Sequence, residues 1–168
     1  MLTKRATRSV AGYAGGTKTG PNGRVCYHNP MAMDSDYGRM GHTEVVGVKV
    51  PEDKIPQFAD AFFALFINGD RADPQDRGGE YRGAFGIPGG DKHPQFAAFK
   101  EAAAKVNMKL IAGKGNDPDT SKKRAVFYYD TDNFPFFAGE AWTRTPCCPP
   151  RQHVIARAAP RLEYATLR

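Results

Sequence analysis

The sequence has few cysteines, no long apolar run and no recognisable secretory signal. Three cysteines among 168 residues are too few and too unevenly spaced for a disulfide-stabilised scaffold, which favours a reducing compartment. No apolar stretch approaches the roughly 20 residues that cross a bilayer, and the basic first ten residues have no apolar core of the kind that secretory signals carry. We therefore expect a cytoplasmic protein, or one of an organelle such as the chloroplast, without a membrane partner.

Positive charge is concentrated at the two ends of the chain. The formal net charge is +6, but residues 1–8 carry +3 and residues 143–168 carry +4, so the remainder carries −1. The body therefore lacks the basic face that nucleic-acid binding requires, and no nucleic-acid partner is expected. A weaker hypothesis is that the basic C-terminal segment alone binds an acidic surface.

Length and composition are typical of one globular domain. Apolar residues make up 40% of the 168 residues, which is enough to bury a core. We place this domain at residues 1–142. Residues 143–168 contain several prolines and are expected to form a loosely ordered tail, with a possible helical turn at Val154–Ala159.

Apolar spacing predicts two helices and five strands. Apolar residues recur every three or four positions in residues 54–67 and 94–106, which predicts amphipathic helices. Runs of β-branched and aromatic residues predict strands, and the last two strands are expected to form a hairpin around a polar loop. The predicted strands are 7–16, 44–50, 81–87, 108–112 and 124–129.

The stretch Gly41–Val50 places a carboxylate at the start of a strand. In an extended chain Glu44 shares a face with Val46 and Val48, the set expected to be buried. A carboxylate on the buried side must be paired, exposed in a cleft, or protonated. We therefore interpret Glu44 as a candidate functional acid.

Three motifs in the first half of the chain resemble the A-type peptide methionine sulfoxide reductases. The motifs are Gly12-Tyr13-Ala14-Gly15-Gly16, Gly41-His42-Thr43-Glu44-Val45-Val46 and Asp76-x-Gly78-x-x-Tyr81-Arg82. Their order and spacing agree with the family across residues 7–90, with a weaker similarity at 127–129 and 134–140. The resemblance implies an α/β (α+β) fold, a two-layer sandwich in which a ferredoxin-like mixed sheet carries helices on one face.

The resemblance also implies a chemistry, the thiol-dependent reduction of methionine-S-sulfoxide, free or in proteins, as a repair of oxidative damage. In the family a thiolate attacks the sulfur, a carboxylic acid protonates the oxygen, and thioredoxin or a similar dithiol reduces the resulting disulfide. By resemblance Glu44 is the acid, and Asp76 and Tyr81 hydrogen-bond the oxygen or a water. Tyr27 or Tyr37 completes the site, with Tyr27 slightly preferred. No metal or organic cofactor is implied, and a monomer is expected.

The sequence departs from the family in its cysteines. The family's nucleophile lies in a Gly-Cys-Phe-Trp segment well before the first motif, and this chain begins too late to contain it. The first strand and helix of the family are expected to be missing for the same reason. Cys147 and Cys148 match the region in which the family commonly keeps recycling thiols, and Cys26 is interpreted as a free thiol.

These departures support a second hypothesis from a different class. The chain would then be a catalytically inactive remnant that binds a methionine-like side chain or a protein partner. This chain as written is expected to show no turnover of a methionine-S-sulfoxide peptide with dithiothreitol.

Three other features have simpler explanations than a separate site. His42 is interpreted as a structural hydrogen-bonding residue and not as a base. Gly12–Gly16 is not a phosphate loop, because no helix or lysine follows at the required spacing. A zinc site formed by the three cysteines and His28 is conceivable, but its ligand spacing is not a standard one.

Overall fold

One mixed sheet with two helices on one of its faces forms the domain. The structure is a computed structural model, and it describes residues 9–28, 33–73 and 75–140 together with the backbone of 163–165. Within these residues the sheet has seven strands in the order β4-β5-β3-β7-β2-β1-β6. The strands are β1 (Ser9–Ala14), β2 (Thr43–Val48), β3 (Ala84–Ile87), β4 (Lys109–Ala112), β5 (Ala125–Asp130), β6 (Phe137–Ala138) and β7 (Glu163–Ala165), and the helices are α1 (Ile55–Phe63) and α2 (Phe96–Lys105).

The two helices cover the face of the sheet that carries Phe85 and Ile87. Both side chains are fully buried against α1 and α2, and Phe85 stacks on Phe99 with ring centroids 4.1 Å apart. Helix α1 ends earlier than its apolar pattern predicts, because the N–H groups of Leu65 and Phe66 bond to carbonyls three residues back and tighten the last turn. The predicted α+β sandwich with helices on one face is confirmed.

The opposite face of the sheet is covered by loop residues. Val45 and Phe127 are buried there, and the partly buried Phe134 and Phe136, which follow β5, pack against them. Strand β2 is therefore buried on both faces, since Val48, on its other face, is only 7% exposed. The sequence pattern predicts burial on the Glu44 face, and the face of Thr43 and Val45 is buried as well, because Phe134 and Phe136 pack over it from a distant part of the sequence.

Strands β4 and β5 are parallel, so the predicted hairpin is wrong. Lys109 pairs with Ala125, and the ladder runs in the same direction to the end of β4. The connection, residues 113–124, crosses over the sheet, which a connection of about a dozen residues allows. The Asp117 carboxylate holds this crossover by accepting the N–H groups of Lys114 and Gly115, both at 2.9 Å.

The last described strand lies in the middle of the sheet. Strand β7 pairs antiparallel with both β2 and β3, with Ala165 opposite Val46 on one side and Phe85 on the other. This strand lies within residues 143–168, which are expected from the sequence to form a loosely ordered tail. A segment this short, without a clear pattern, gives little signal in sequence. The possible helical turn at Val154–Ala159 lies outside the described residues.

Candidate functional site

A buried arginine joins the three motifs. Arg82 is 1% exposed, and its guanidinium donates hydrogen bonds to the carbonyls of Gly15, Gly41 and Gly79 at 3.0, 3.0 and 2.7 Å. Gly15 and Gly41 have φ values of 78° and 81°, which favour glycine, and a Cβ on Gly15 would lie 2.9 Å from Arg82 Nη2. Each motif therefore contributes a backbone carbonyl to one buried cation.

A tyrosine and an aspartate extend this network behind the motifs. Arg82 Nε donates to the Tyr129 hydroxyl, and that hydroxyl donates to Asp117 Oδ2, both at 2.8 Å. Burial, more than any nearby charge, raises the pKa of Tyr129 and keeps its hydroxyl protonated. The crossover loop after β4 is thus fixed to the same arginine as the motifs.

His42 is held by backbone groups on both ring nitrogens. Its Nδ1 accepts the Gly16 N–H at 3.2 Å, and its Nε2 donates to the Lys18 carbonyl at 2.7 Å. The ring is 1% exposed, and burial lowers its pKa. The neutral imidazole therefore joins the loop after β1 to the start of β2, which agrees with its interpretation as a structural residue.

The carboxylate of Glu44 is paired with a buried tyrosine. Tyr37 is 3% exposed and donates its hydroxyl hydrogen bond to Glu44 Oε1 at 3.1 Å. Burial, the charge of Glu44 and the neighbouring Tyr81 raise the pKa of Tyr37. We call Glu44, Tyr37 and Tyr81 the Glu44 cluster. Thr43 brings Tyr81 to this position, because its hydroxyl donates to the Glu80 carbonyl at 2.8 Å.

Asp76 lies within electrostatic range of the Glu44 cluster. Burial raises the pKa of Tyr81, and the charges of Glu44 and Asp76 raise it further. The loop that carries Asp76 is fixed by Arg71, whose guanidinium donates to the Asp76 carbonyl and pairs with Asp119 at 2.9 Å. Tyr81 therefore lies within the electrostatic influence of both Glu44 and Asp76.

The structure favours Tyr37 over Tyr27 as the tyrosine next to the acid. Tyr27 is 50% exposed, and its ring stacks on Tyr37 with centroids 5.8 Å apart. The sequence preference for Tyr27 is therefore corrected, since the hydroxyl that bonds Glu44 belongs to Tyr37. Spacing alone could not separate the two tyrosines, because both lie in the irregular segment before β2.

Cys26 is disulfide-bonded, so its interpretation as a free thiol is wrong. The only other cysteines in the sequence are Cys147 and Cys148, which lie outside the described residues. The backbone of Cys26 is fixed next to the Glu44 cluster, because its carbonyl accepts the Tyr37 N–H at 2.8 Å.

Glu140 is a second carboxylate near the cluster that the sequence did not assign. Its Oε2 accepts the Tyr13 hydroxyl at 2.8 Å, and its Oε1 accepts the Tyr27 N–H at 2.9 Å. Tyr13 lies directly opposite Glu44 in the β1–β2 ladder. The only signal that could have found Glu140 is the weak family similarity at 134–140.

A separate cavity lies beside the loop that supports Asp76. It has a volume of about 330 Å³ and is lined mainly by acidic and basic side chains, of which Arg71 pairs with Asp119. Within the described ranges no group of three or more potential ligands could hold a metal ion. No helix in those ranges is long and apolar enough to cross a bilayer. We therefore assign the candidate site to the Glu44 cluster.

No protein-family model, no curated protein and no solved structure matches the chain. The similarity to the A-type methionine sulfoxide reductases therefore rests on the three motifs. The function is argued below from the chemistry of the cluster that these motifs form.

Proposed function

We propose that the Glu44 cluster binds the oxygen of a methionine-S-sulfoxide and protonates it during thiol-dependent reduction to methionine. The observation that carries this proposal is the hydrogen bond of 3.1 Å from the Tyr37 hydroxyl to Glu44, with Tyr81 next to Tyr37. A sulfoxide oxygen accepts hydrogen bonds but donates none, so hydroxyl donors beside a carboxylic acid match it chemically. Burial raises the pKa of both tyrosines, which supports them as donors at neutral pH.

The proposed reaction balances with two thiols. The sulfoxide takes two electrons and two protons and leaves as a sulfide and water, while two thiols lose two electrons and become a disulfide. Attack of a thiolate on the sulfur weakens the S–O bond, and a positioned acid assists by protonating the departing oxygen. Glu44 is the proposed acid, with Tyr37, Tyr81 and Asp76 as its neighbours around the oxygen.

The position of Cys26 supports a thiol-dependent reaction. Its sulfur forms a disulfide, and its carbonyl accepts the Tyr37 N–H next to the Glu44 cluster. Cys147 and Cys148, the other two cysteines of the sequence, are proposed for recycling. Thioredoxin or a similar dithiol would reduce the disulfide and complete the cycle.

A second candidate function is recognition of a methionine sulfoxide without turnover. Cys26 is the only cysteine within the described ranges, and it is both oxidised and 3% exposed. An acid cluster without an accessible thiol would hold the sulfoxide oxygen but leave the sulfur unreduced. In that case the chain acts as a binding protein of the same fold.

A stoichiometric reduction assay separates the two candidates. The protein is reduced with dithiothreitol, freed of the reductant and incubated without oxygen with N-acetyl-methionine sulfoxide of each configuration. We expect the S epimer to yield sulfide in proportion to the disulfide that re-forms, while the R epimer stays unchanged. We also expect Cys26→Ser to lose both the disulfide and the product. Absence of sulfide from the S epimer would contradict reduction and favour the binding function.

A further inference from the structure

We propose that Glu140 is a positioning residue for the Glu44 cluster, acting through three stacked tyrosines. This inference rests on the proposed function, because it concerns the geometry of the same site. Glu140 does not contact Glu44 in any described hydrogen bond. Its two carboxylate oxygens instead contact the two residues that hold Tyr37 in place.

Tyr37 stacks with a tyrosine from β1 and a tyrosine from the following loop. The Tyr13 and Tyr37 ring centroids are 4.8 Å apart with an interplanar angle of 22°, and those of Tyr27 and Tyr37 are 5.8 Å apart at 16°. Offset stacking of aromatic rings is directional, so neighbouring rings restrict the orientation of the ring between them. The direction of the Tyr37 hydroxyl therefore depends on where Tyr13 and Tyr27 lie.

Glu140 fixes both of these neighbours with one side chain. Oε2 accepts the Tyr13 hydroxyl at 2.8 Å and Oε1 accepts the Tyr27 N–H at 2.9 Å. Tyr13 already has a fixed position in the sheet, directly opposite Glu44. Glu140 therefore ties the loop that carries Tyr27 to a rigid strand beside the acid.

The charges of Glu140 and Glu44 also affect Tyr13. Burial raises the pKa of Tyr13, and the hydrogen bond and charge of Glu140 raise it further, followed by the charge of Glu44. Tyr13 therefore stays protonated between two carboxylates and donates to Glu140. The Glu44 carboxylate accepts the hydroxyl of Tyr37.

Two substitutions separate positioning from charge. Glu140→Ala removes both contacts, whereas Glu140→Gln removes the charge but keeps an oxygen acceptor and an amide that can bond the Tyr13 oxygen. Glu101→Ala on the exposed face of α2 is the control for losing a glutamate. NMR chemical shifts of the Tyr37 ring are measured in the free protein, and binding of N-acetyl-methionine-S-sulfoxide is measured by titration.

We expect Glu140→Ala to shift the Tyr37 ring resonances and to weaken sulfoxide binding by about tenfold, the equivalent of one net hydrogen bond. Glu140→Gln and Glu101→Ala should keep both properties within about twofold of the wild type. Unchanged Tyr37 resonances in Glu140→Ala would overturn the proposal, and so would a Glu140→Gln variant as impaired as Glu140→Ala. If the wild type binds no sulfoxide, the proposed function fails, and the ring shifts in the free protein still decide whether Glu140 positions Tyr37.

Discussion

Replacing Arg82 by methionine is expected to lower the free energy of unfolding by roughly 3–5 kcal/mol, the typical cost of removing one partner from a buried charged network. Methionine fills a similar volume but donates no hydrogen bond. The carbonyls of Gly15, Gly41 and Gly79 and the hydroxyl of Tyr129 would then each lose a buried hydrogen-bond donor. The three motifs would also lose the group that holds them together.

Urea denaturation followed by circular dichroism measures this effect, provided that the slope of the transition stays unchanged. Arg39→Met is the matched control, because Arg39 is exposed and should change stability by no more than about 0.5 kcal/mol. If Arg82→Met lowers the free energy of unfolding no more than Arg39→Met does, the guanidinium does not organise the motifs. Arg82→Lys should restore only part of the stability, because a lysine ammonium cannot reproduce the planar guanidinium fork.

Replacing Glu44 by glutamine is expected to slow sulfoxide reduction by roughly 10²–10⁴-fold, the usual contribution of a positioned general acid. The amide oxygen can still accept the Tyr37 hydroxyl, so the shape of the cluster is kept. The amide cannot deliver an acidic proton to the departing oxygen. Single-turnover formation of sulfide from the S epimer measures the rate of this step directly.

The exposed Glu52 provides the control for Glu44, since Glu52→Gln removes one carboxylate at the surface before α1. Its rate should equal that of the wild type. A Glu44→Gln variant that is as fast as Glu52→Gln would assign the acid to another residue. If circular dichroism shows that Glu44→Gln is unfolded, Tyr37→Phe is tested instead. This variant keeps the ring stack but removes the hydroxyl donor to Glu44.

The sequence predicted the elements whose pattern is local. Helices α1 and α2 and strands β1 to β5 follow from apolar periodicity and β-branched runs, and each lies near its predicted range. Their ends are less well predicted, because hydrogen bonds outside the periodic pattern decide them, as at Leu65 and Phe66. The strand direction of β4 and β5 could not be predicted, since a polar loop of this length permits either a hairpin or a crossover.

The contacts that build the site depend on residues distant in sequence. The motifs predicted that Glu44, Asp76 and Tyr81 lie close together, and the structure brings these residues into one region. The motifs did not identify Arg82 as the residue that joins them, because its partners are backbone carbonyls that carry no residue-type signal. The roles of Tyr37 and Glu140 depend on ring stacking and on β6, which only three-dimensional packing reveals.

The most direct test of the Glu44 cluster as a sulfoxide-oxygen site is an NMR titration of the oxidised protein, in which no thiol reduction can interfere. The ligands are N-acetyl-methionine-S-sulfoxide, its R epimer and N-acetyl-methionine. We predict that the S epimer shifts the resonances of Tyr37 and Tyr81 and binds about tenfold more tightly than the sulfide, the equivalent of one hydrogen bond to the oxygen. Equal affinity for sulfoxide and sulfide, or shifts confined to the cavity beside Arg71 and Lys122, would contradict the assignment of the site to Glu44.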